Sequence, residues 1–491
     1  LKNNDTVNIW SKQQLDKLFD QCQDVKILTH RFGETVSSEV ILIFSEGTCD
    51  SSAISRTILP ALENLFAKDG GFHLYDASLL ASLPLTPFKG SISADKMSEY
   101  LFEGELIFVF PHLESVFQMD ISKLPQRTPD ESNTEISIKG PKDGFVESIK
   151  TNIALIRKRI RSSTLCCELS TIGTRTKTKV GLLYVSDIIS PQLLGEVRKR
   201  LERIDIDGIY SIGQIEELVS DHKRTLLPLM DSTGRPDFTV SSLLNGRFVI
   251  IVDGNPMVLI GPSTFALQLK SPEDLHFQFQ YTSFARLIRL ISLMLTLLLP
   301  AVWVSLVAFQ QDQIPFRLLA TITTARLGLP FPAQIELFLM LMLLEIFREA
   351  GSRLPNAVGQ TLTVVGGLII GDAAIRSGLV SPSSVVVGAL TAVSSSTLVN
   401  QNLSVAVSLI RFGLFFVSCF IGMYGLIVGF ILFVFYLSRL RSFGVPYLSP
   451  LSPPLYNQWI PAFLRLPWSK IRKRPESLHT LDSDHQEGNA E

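Results

Sequence analysis

The sequence predicts an α/β cytoplasmic N-terminal half made of two subdomains, followed by an α-helical polytopic membrane domain with re-entrant or broken helices. Three observations predict it. The mean hydropathy over 491 residues is positive, +0.28, although the apolar fraction is an ordinary 46 %. Charge is segregated: residues 1–285 hold 30 basic and 36 acidic side chains, whereas 286–438 hold eight arginines, no lysine and five acids. Runs long enough to cross the hydrocarbon layer occur only in that second part. The overall net charge of −1 excludes the strongly basic balance of a nucleic-acid scaffold, so no nucleic-acid partner is expected.

Four regions follow: a first cytoplasmic α/β subdomain (1–135), a basic helix with a second α/β subdomain (136–285), a transmembrane domain (286–438) and a basic, then acidic, cytoplasmic tail (439–491). In the first, Gln13 to Phe19 and Pro60 to Phe66 read as helices, and Val40 to Phe44 and Leu106 to Phe110 as short buried strands. After a Pro-containing loop at 122–137 comes Gly140-Pro141-Lys142-Asp143-Gly144-Phe145, then a helix from Val146 to Arg161. Ile149, Ile153, Ile156 and Ile160 mark its apolar face and Lys150, Arg157, Lys158, Arg159 and Arg161 its basic face. Phe145 follows the second glycine where a phosphate-binding loop needs lysine, which excludes that motif. The basic face reads as a solvated surface, or as one for anionic lipid or an acidic subunit.

In the second subdomain Val180 to Val185, Ile206 to Ile212, Phe248 to Val252 and Met257 to Ile260 read as strands, and Pro191 to Ile204 as a helix. Asp253-Gly254-Asn255-Pro256 joins two of the strands as a hairpin. The five cysteines show no Cys-x-x-Cys spacing and are expected as free thiols. Seven scattered histidines form no metal-ligand pattern, and no nucleophile motif occurs. No cofactor, metal or catalytic set is expected.

In the membrane part, Leu287 to Phe309 spans, flanked by Arg286 and Arg289 on the cytoplasmic side, with a kink expected at Pro300. Gln310 to Pro332 reads as interfacial or re-entrant. Ala333 to Phe347 is short and carries Glu336 and Glu345; Glu345–Arg348 and Glu349–Arg353 have helical pairing distance. Asn356 to Arg376 spans, Ser384 to Ile410 is interrupted by polar residues, and Phe412 to Leu437 is the longest clean span. Four full spans with one or two partial segments place both ends inside. The basic stretch to Arg474 suits an anionic leaflet, and 476–491 read as disordered.

The helix from Asn356 to Gly378 carries two informative faces. Gly359, Thr363, Gly367, Gly371, Ala374 and Gly378 form a small-residue face that permits close helix approach in lipid, as between copies of the chain. Thr361, Val365, Leu368 and Asp372 form the other. A carboxylate there requires water or a partner such as Arg376, one turn on. Either a structural ion pair or an acidic ring in an aqueous pore satisfies that requirement.

Three stretches resemble the A subunit of the GerA spore-germination receptors of endospore-forming bacteria. They are Gly140 to Glu147 with Thr151-Asn152 and Arg157-Lys158-Arg159; Arg326-Leu327-Gly328-Leu329-Pro330-Phe331-Pro332 to Glu336; and Glu345 to Pro355, continuing through Val365 to Ala374 and Val380-Ser381-Pro382. The resemblance implies a nutrient germinant receptor subunit in the spore inner membrane, assembling as a homo-oligomer, a pentamer, around an ion channel. It also implies a transporter-like B subunit that binds germinant, a lipoprotein C subunit, and release of monovalent cations on opening. Val365 and Leu368 then make a hydrophobic gate between polar rings of Thr361 and Asp372. Two alternatives stand: a stage-V sporulation-type channel subunit that amplifies ion release, and a secondary transporter, against which no internal repeat is visible between 287 and 437.

Overall fold

The computed structural model describes residues 10–33, 39–69, 72, 83–88, 93–122, 135, 137–353 and 371–485. In the first unit five antiparallel strands, β1 (Val25–Arg31), β2 (Glu39–Ser45), β3 (Thr86–Pro87), β4 (Glu105–Phe110) and β5 (Ser115–Asp120), lie in the order β1-β2-β4-β5-β3. The continuous apolar runs of β2 and β4 are covered on both faces. Helix α1 (Lys12–Leu18), opened by a Ser11/Gln14 capping box, places Leu15 on Ile41, Ile43 and Ile107. Helix α2 (Leu59–Asp69) closes the opposite face over Leu42, Phe44 and Phe108. Helix α3 (Ala94–Glu103) joins α1 through Met97, Leu101 and Phe102 and ends at Gly104, whose left-handed φ of 99° and abutment on Thr48 and Ser122 exclude a side chain.

The second unit repeats the scheme with β6 (Leu165–Ile172), β7 (Thr178–Val185), β8 (Asp231–Thr233), β9 (Phe248–Val252) and β10 (Val258–Gly261), in the antiparallel order β6-β7-β9-β10-β8. The expected hairpin across Asp253–Pro256 is present, with Ile251 opposite Val258. Helices α4 (Ile149–Arg157), α5 (Pro191–Glu202), α6 (Ile212–Val219) and α7 (Pro236–Leu244) cover the sheet, α4 and α7 on one face and α5 and α6 on the other. Ile206 to Ile212 is not a strand. Its residues form a loop, Ile209 is buried in the α5/α6 core, and Ile212 opens α6, so its apolar side chains pack without pairing.

The two units are joined by backbone and charge. Gln23 N–H donates to Cys167 O and Cys167 N–H to Gln21 O, each 3.0 Å, adding the segment before β1 to the edge of β6. The basic face of α4 turns toward the first unit: Arg157, fully buried, holds Asp24 through two bonds of 2.7 and 2.9 Å and lies 3.9 Å over the Phe102 ring. Lys150 pairs with Glu46 and Arg161 with Glu103. The expectation of a solvated or lipid-facing basic surface is thus corrected for Arg157, which is buried, and for Arg159, which pairs with Asp143; Lys150, Lys158 and Arg161 remain exposed, two of them paired with acids of the first unit.

The helical half comprises α8 (Phe279–Ala308), α9 (Phe316–Ala325), α10 (Ala333–Arg353), α11 (Pro382–Ser396) and α12 (Gln401–Arg439). Among the described residues α8 and α12 are long and apolar enough to cross a membrane by length and composition. The expected clean span Phe412 to Leu437 is not a single rod. At Gly422 the backbone takes φ 68°, ψ −146°, and α12 doubles back. Leu403 and Leu437, which a straight helix would hold about 51 Å apart, line one pocket, and Leu414 lies beside Gly429. The tip meets Phe309 at the end of α8. Both feet return to the second α/β unit: Asn400 donates to Asp231 at 2.6 Å, and Thr225 shares a hydrogen bond with Tyr436. The bundle therefore has a near end at the α/β units and a far end at Phe309 and Gly422; α10 and α11 run from far to near.

The tail is also corrected. Through residue 485 it follows the second unit, with Arg474 bonding the carbonyls of Leu244, Asp482 and Asp484, Leu478 buried, and Leu481 N–H donating to Ile188 O. These contacts need no apolar periodicity, which is why composition indicated disorder.

Candidate functional site

Of the residues assigned to the gate and packing faces, Gly359, Thr361, Thr363, Val365, Gly367 and Leu368 lie outside the described residues. Gly371, Asp372 and Ala374 lie inside, at the far end just before α11. Gly371 is buried, with Val385 Cγ1 3.7 Å from where a Cβ would stand. Asp372 and Arg376 pair at 2.9 Å one helical turn apart, the partner expected from spacing, and both side chains are exposed, 57 % and 80 %.

The bundle buries three further polar constellations. At the far end Glu336, fully buried on α10, accepts from the Ser381 and Ser384 hydroxyls at 2.9 and 3.0 Å and faces Arg326 at 3.4 Å. One carboxylate thus ties α10 to the start of α11 and to the residue after α9. In the near half Glu345 pairs with Arg348, as expected, and also with Arg411 of α12 at 3.0 Å; Arg348 reaches Ser404 and Ser408. The Arg353 side chain of the other expected pair lies outside the described residues. At the foot of α8, Arg286 and Arg289 grip Asp274 at 2.8 and 2.9 Å, and Arg465 donates to the carbonyls of Asp274, Leu275 and Phe277. These arginines hold the Asp274 carboxyl below the usual aspartate range despite its burial.

The signature residues acquire physical roles. Asn152, buried on α4, bonds both backbone groups of Val146, donating to its carbonyl at 2.6 Å and accepting its N–H at 2.8 Å. Gly140 abuts Arg235 and His276, where a side chain has no room. Arg235 pairs with Asp237 and Glu273. Glu273 also accepts from Lys139 N–H, binding the segment before α4 to the foot of α8. Between β8 and the foot of α12, burial and the neighbouring Glu135 push Asp231 up to about 7. Arg326, Glu336, Arg411 and Asp231 were not singled out as a site by sequence reasoning. The detectable signal was the charge itself, since ionisable side chains in an apolar stretch require partners. The described residues hold no cluster of three metal-ligating side chains. These arrangements tie helices of the bundle to one another and to the second α/β unit.

Comparison with known proteins shows the family. The family model described as Bacillus/Clostridium GerA spore germination protein matches residues 13–477. Spore germination protein XA of Bacillus anthracis is 42 % identical over 475 residues, covering 96 % of each chain. Spore germination protein KA of Bacillus subtilis is 38 % identical over 94 % of this chain and 85 % of its own length. Spore germination protein B1 of the same organism is 32 % identical over 96 % and 97 %. Among solved structures, the N-terminal domain of the A subunit of the Bacillus megaterium spore germinant receptor GerK3 is 28 % identical, covers 52 % of this chain and 96 % of its own, and gives a TM-score of 0.41. The chain belongs to the GerA spore germination protein family, as an A-type subunit.

Proposed function

We propose that this chain is the membrane-embedded A subunit of a nutrient germinant receptor of the spore inner membrane, oligomerising, as a pentamer, into a ligand-gated channel that releases monovalent cations to start germination. The observation that carries the reading is the Asp372–Arg376 pair, exposed at the far end of the bundle and lying within the stretch that bears the small-residue face. An ion pair so placed needs water or a neighbouring copy. Large exposed apolar side chains on the same bundle, among them Phe420, Tyr424, Val393 and Leu432, support a lipid or intersubunit environment. In this reading Thr361, Val365, Leu368 and Asp372 line the pore, with Val365 and Leu368 closing it by dewetting. Gly359, Thr363, Gly367, Gly371 and Ala374 set the helix packing. Both termini face the cytoplasm, consistent with a tail that packs on the second α/β unit. A transporter-like B subunit and a lipoprotein C subunit complete the receptor, B supplying ligand energy that favours the open ring over the closed one.

Purified chain in liposomes tests the reading. Unitary conductance that shifts its cation preference on Asp372→Asn is expected. Saturable flux without unitary events indicates a transporter, and no permeation by the Val365→Ala chain, whose gate is loosened, indicates a scaffold; either result refutes the channel.

A further inference from the structure

Two pockets share two wall segments at the near end of the bundle, where the second α/β unit meets the C-terminal segment. The first, about 440 Å³, is walled by Arg247, Lys270, Lys470, Arg472 and Lys473, with Glu476 the single acid among its described lining residues. Arg247 is 6 % exposed, and its one hydrogen bond among the described residues runs from Nε to Pro262 O at 3.2 Å. Its two terminal guanidinium nitrogens therefore have no acceptor there. Lys270, half-buried, likewise has no hydrogen bond or ion pair among the described residues. Burial of the Arg247 guanidinium costs several kcal/mol unless a counter-charge is supplied, and Asp231 acts on it without a hydrogen bond or ion pair. Burial and the nearby Arg286 and Arg247 push the Lys270 ammonium down to about 7, against the opposing pull of Asp274.

The second pocket, about 380 Å³, is lined only by apolar side chains, among them Phe265, Met294, Val407, Phe433 and Leu451. The same short segments, 264–267 and 448–463, wall both pockets. Around them the helix Tyr456–Phe463 and the segment after it expose Tyr456 and Trp468, amphipathic side chains of the kind that settle at the headgroup layer, and the apolar Ile460. A basic recess with unmatched buried charge beside a dry apolar recess suits a molecule with a phosphate at one end and a hydrocarbon chain at the other.

We propose that this seam is a binding site for an anionic phospholipid, its phosphate held by Arg247, Lys270 and the tail lysines and one acyl chain lodged in the apolar pocket. The lipid then cements the tail and the second α/β unit to α8 and α12. The proposal rests on the membrane placement of the bundle but not on the pore, so a chain that conducts no ions still tests it.

The test uses the full-length chain, delipidated in detergent, with phosphatidylglycerol, phosphatidylcholine and inorganic phosphate as separate probes, read by native mass spectrometry and thermal stability. Phosphatidylglycerol is expected to be retained and to raise the melting temperature, phosphatidylcholine much less. The exposed-rim double variant Lys470→Gln/Lys473→Gln is expected to weaken retention about fivefold per charge removed, and Arg247→Gln more. Leu451→Trp, which fills the apolar pocket, should weaken the lipid and spare phosphate. If phosphate alone stabilises the protein and Leu451→Trp has no effect on either probe, the lipid assignment is overturned in favour of a soluble phosphate. Equal retention of both lipids, or retention unchanged in the Lys470/Lys473 variant, overturns the site. Because that variant alters only exposed side chains, the result stands even if Arg247→Gln fails to fold.

Discussion

Replacing Arg157 with methionine should open the joint between the two α/β units without unfolding either. Arg157 is fully buried, makes two hydrogen bonds to Asp24 and one to Ser162 O, and packs on Phe102. Methionine fills much of its volume but leaves the Asp24 carboxylate buried without a counter-charge. Breaking one side of such a pair costs about 3–5 kcal/mol. At 1.4 kcal/mol per tenfold, the lower figure makes seam opening roughly 150-fold more frequent. Hydrogen exchange by mass spectrometry reads it directly, because the amides of Gln23 and Cys167 are bonded across the seam. Peptides over 20–24 and 165–169 should exchange faster, while those over β9, central in its own sheet, stay protected. Adding Asp24→Asn should restore most of the protection, since no unpaired charge then remains. Unchanged exchange in Arg157→Met, or a double variant as open as the single, refutes the assignment of this pair as the clamp.

Gly422→Ala should lower the melting temperature sharply. The backbone there is one that essentially only glycine adopts, costing another residue about 1–3 kcal/mol, and the new methyl would lie 3.0 Å from the Phe309 ring. Gly413→Ala, with open space around it, should be neutral or stabilising in the same thermal assay. Glu336→Ala should loosen α10 from α11 by about 1.5–3 kcal/mol per charged hydrogen bond lost, seen as increased exchange at the start of α11; unchanged exchange there would contradict the tie. The pH dependence follows from Asp231, raised to about 7. Below that value the folded state binds the proton more tightly than the unfolded chain, so its contribution to stability falls as pH rises toward 7. The effect amounts to about 4 kcal/mol. Asp231→Asn should flatten that fall between pH 5 and 7 in thermal melts, and an unchanged slope would exclude Asp231 as its source.

Several elements were legible because local and tertiary preferences coincide. The runs Val40 to Phe44 and Phe248 to Val252 are apolar at every position and are buried on both faces, and Asp253–Pro256 has the chemistry of the turn it makes. Asp372 and Arg376 were found by helical spacing alone. The reversal at Gly422 was not legible: its flanks are as apolar as the helices they join, and a glycine within such a run carries no polar turn signal. Arg157 was misread because its partner lies 133 residues away, beyond any periodicity argument. The tail escaped notice because its anchor, Arg474, binds carbonyls, which every sequence supplies. Glu336 was seen as a charge in an apolar run, but its serine partners sit 45 and 48 residues further on.

Single-cysteine cross-linking along 359–374 in spore membranes tests the homo-oligomeric pore most directly, on a Cys419→Ser background since the other four native cysteines are buried. Positions 359, 363, 367 and 371 should give a ladder of cross-linked species ending at the pentamer, and the intervening positions little. Monomer alone at every position, in membranes where the chain is folded and abundant, would contradict a ring built around this helix.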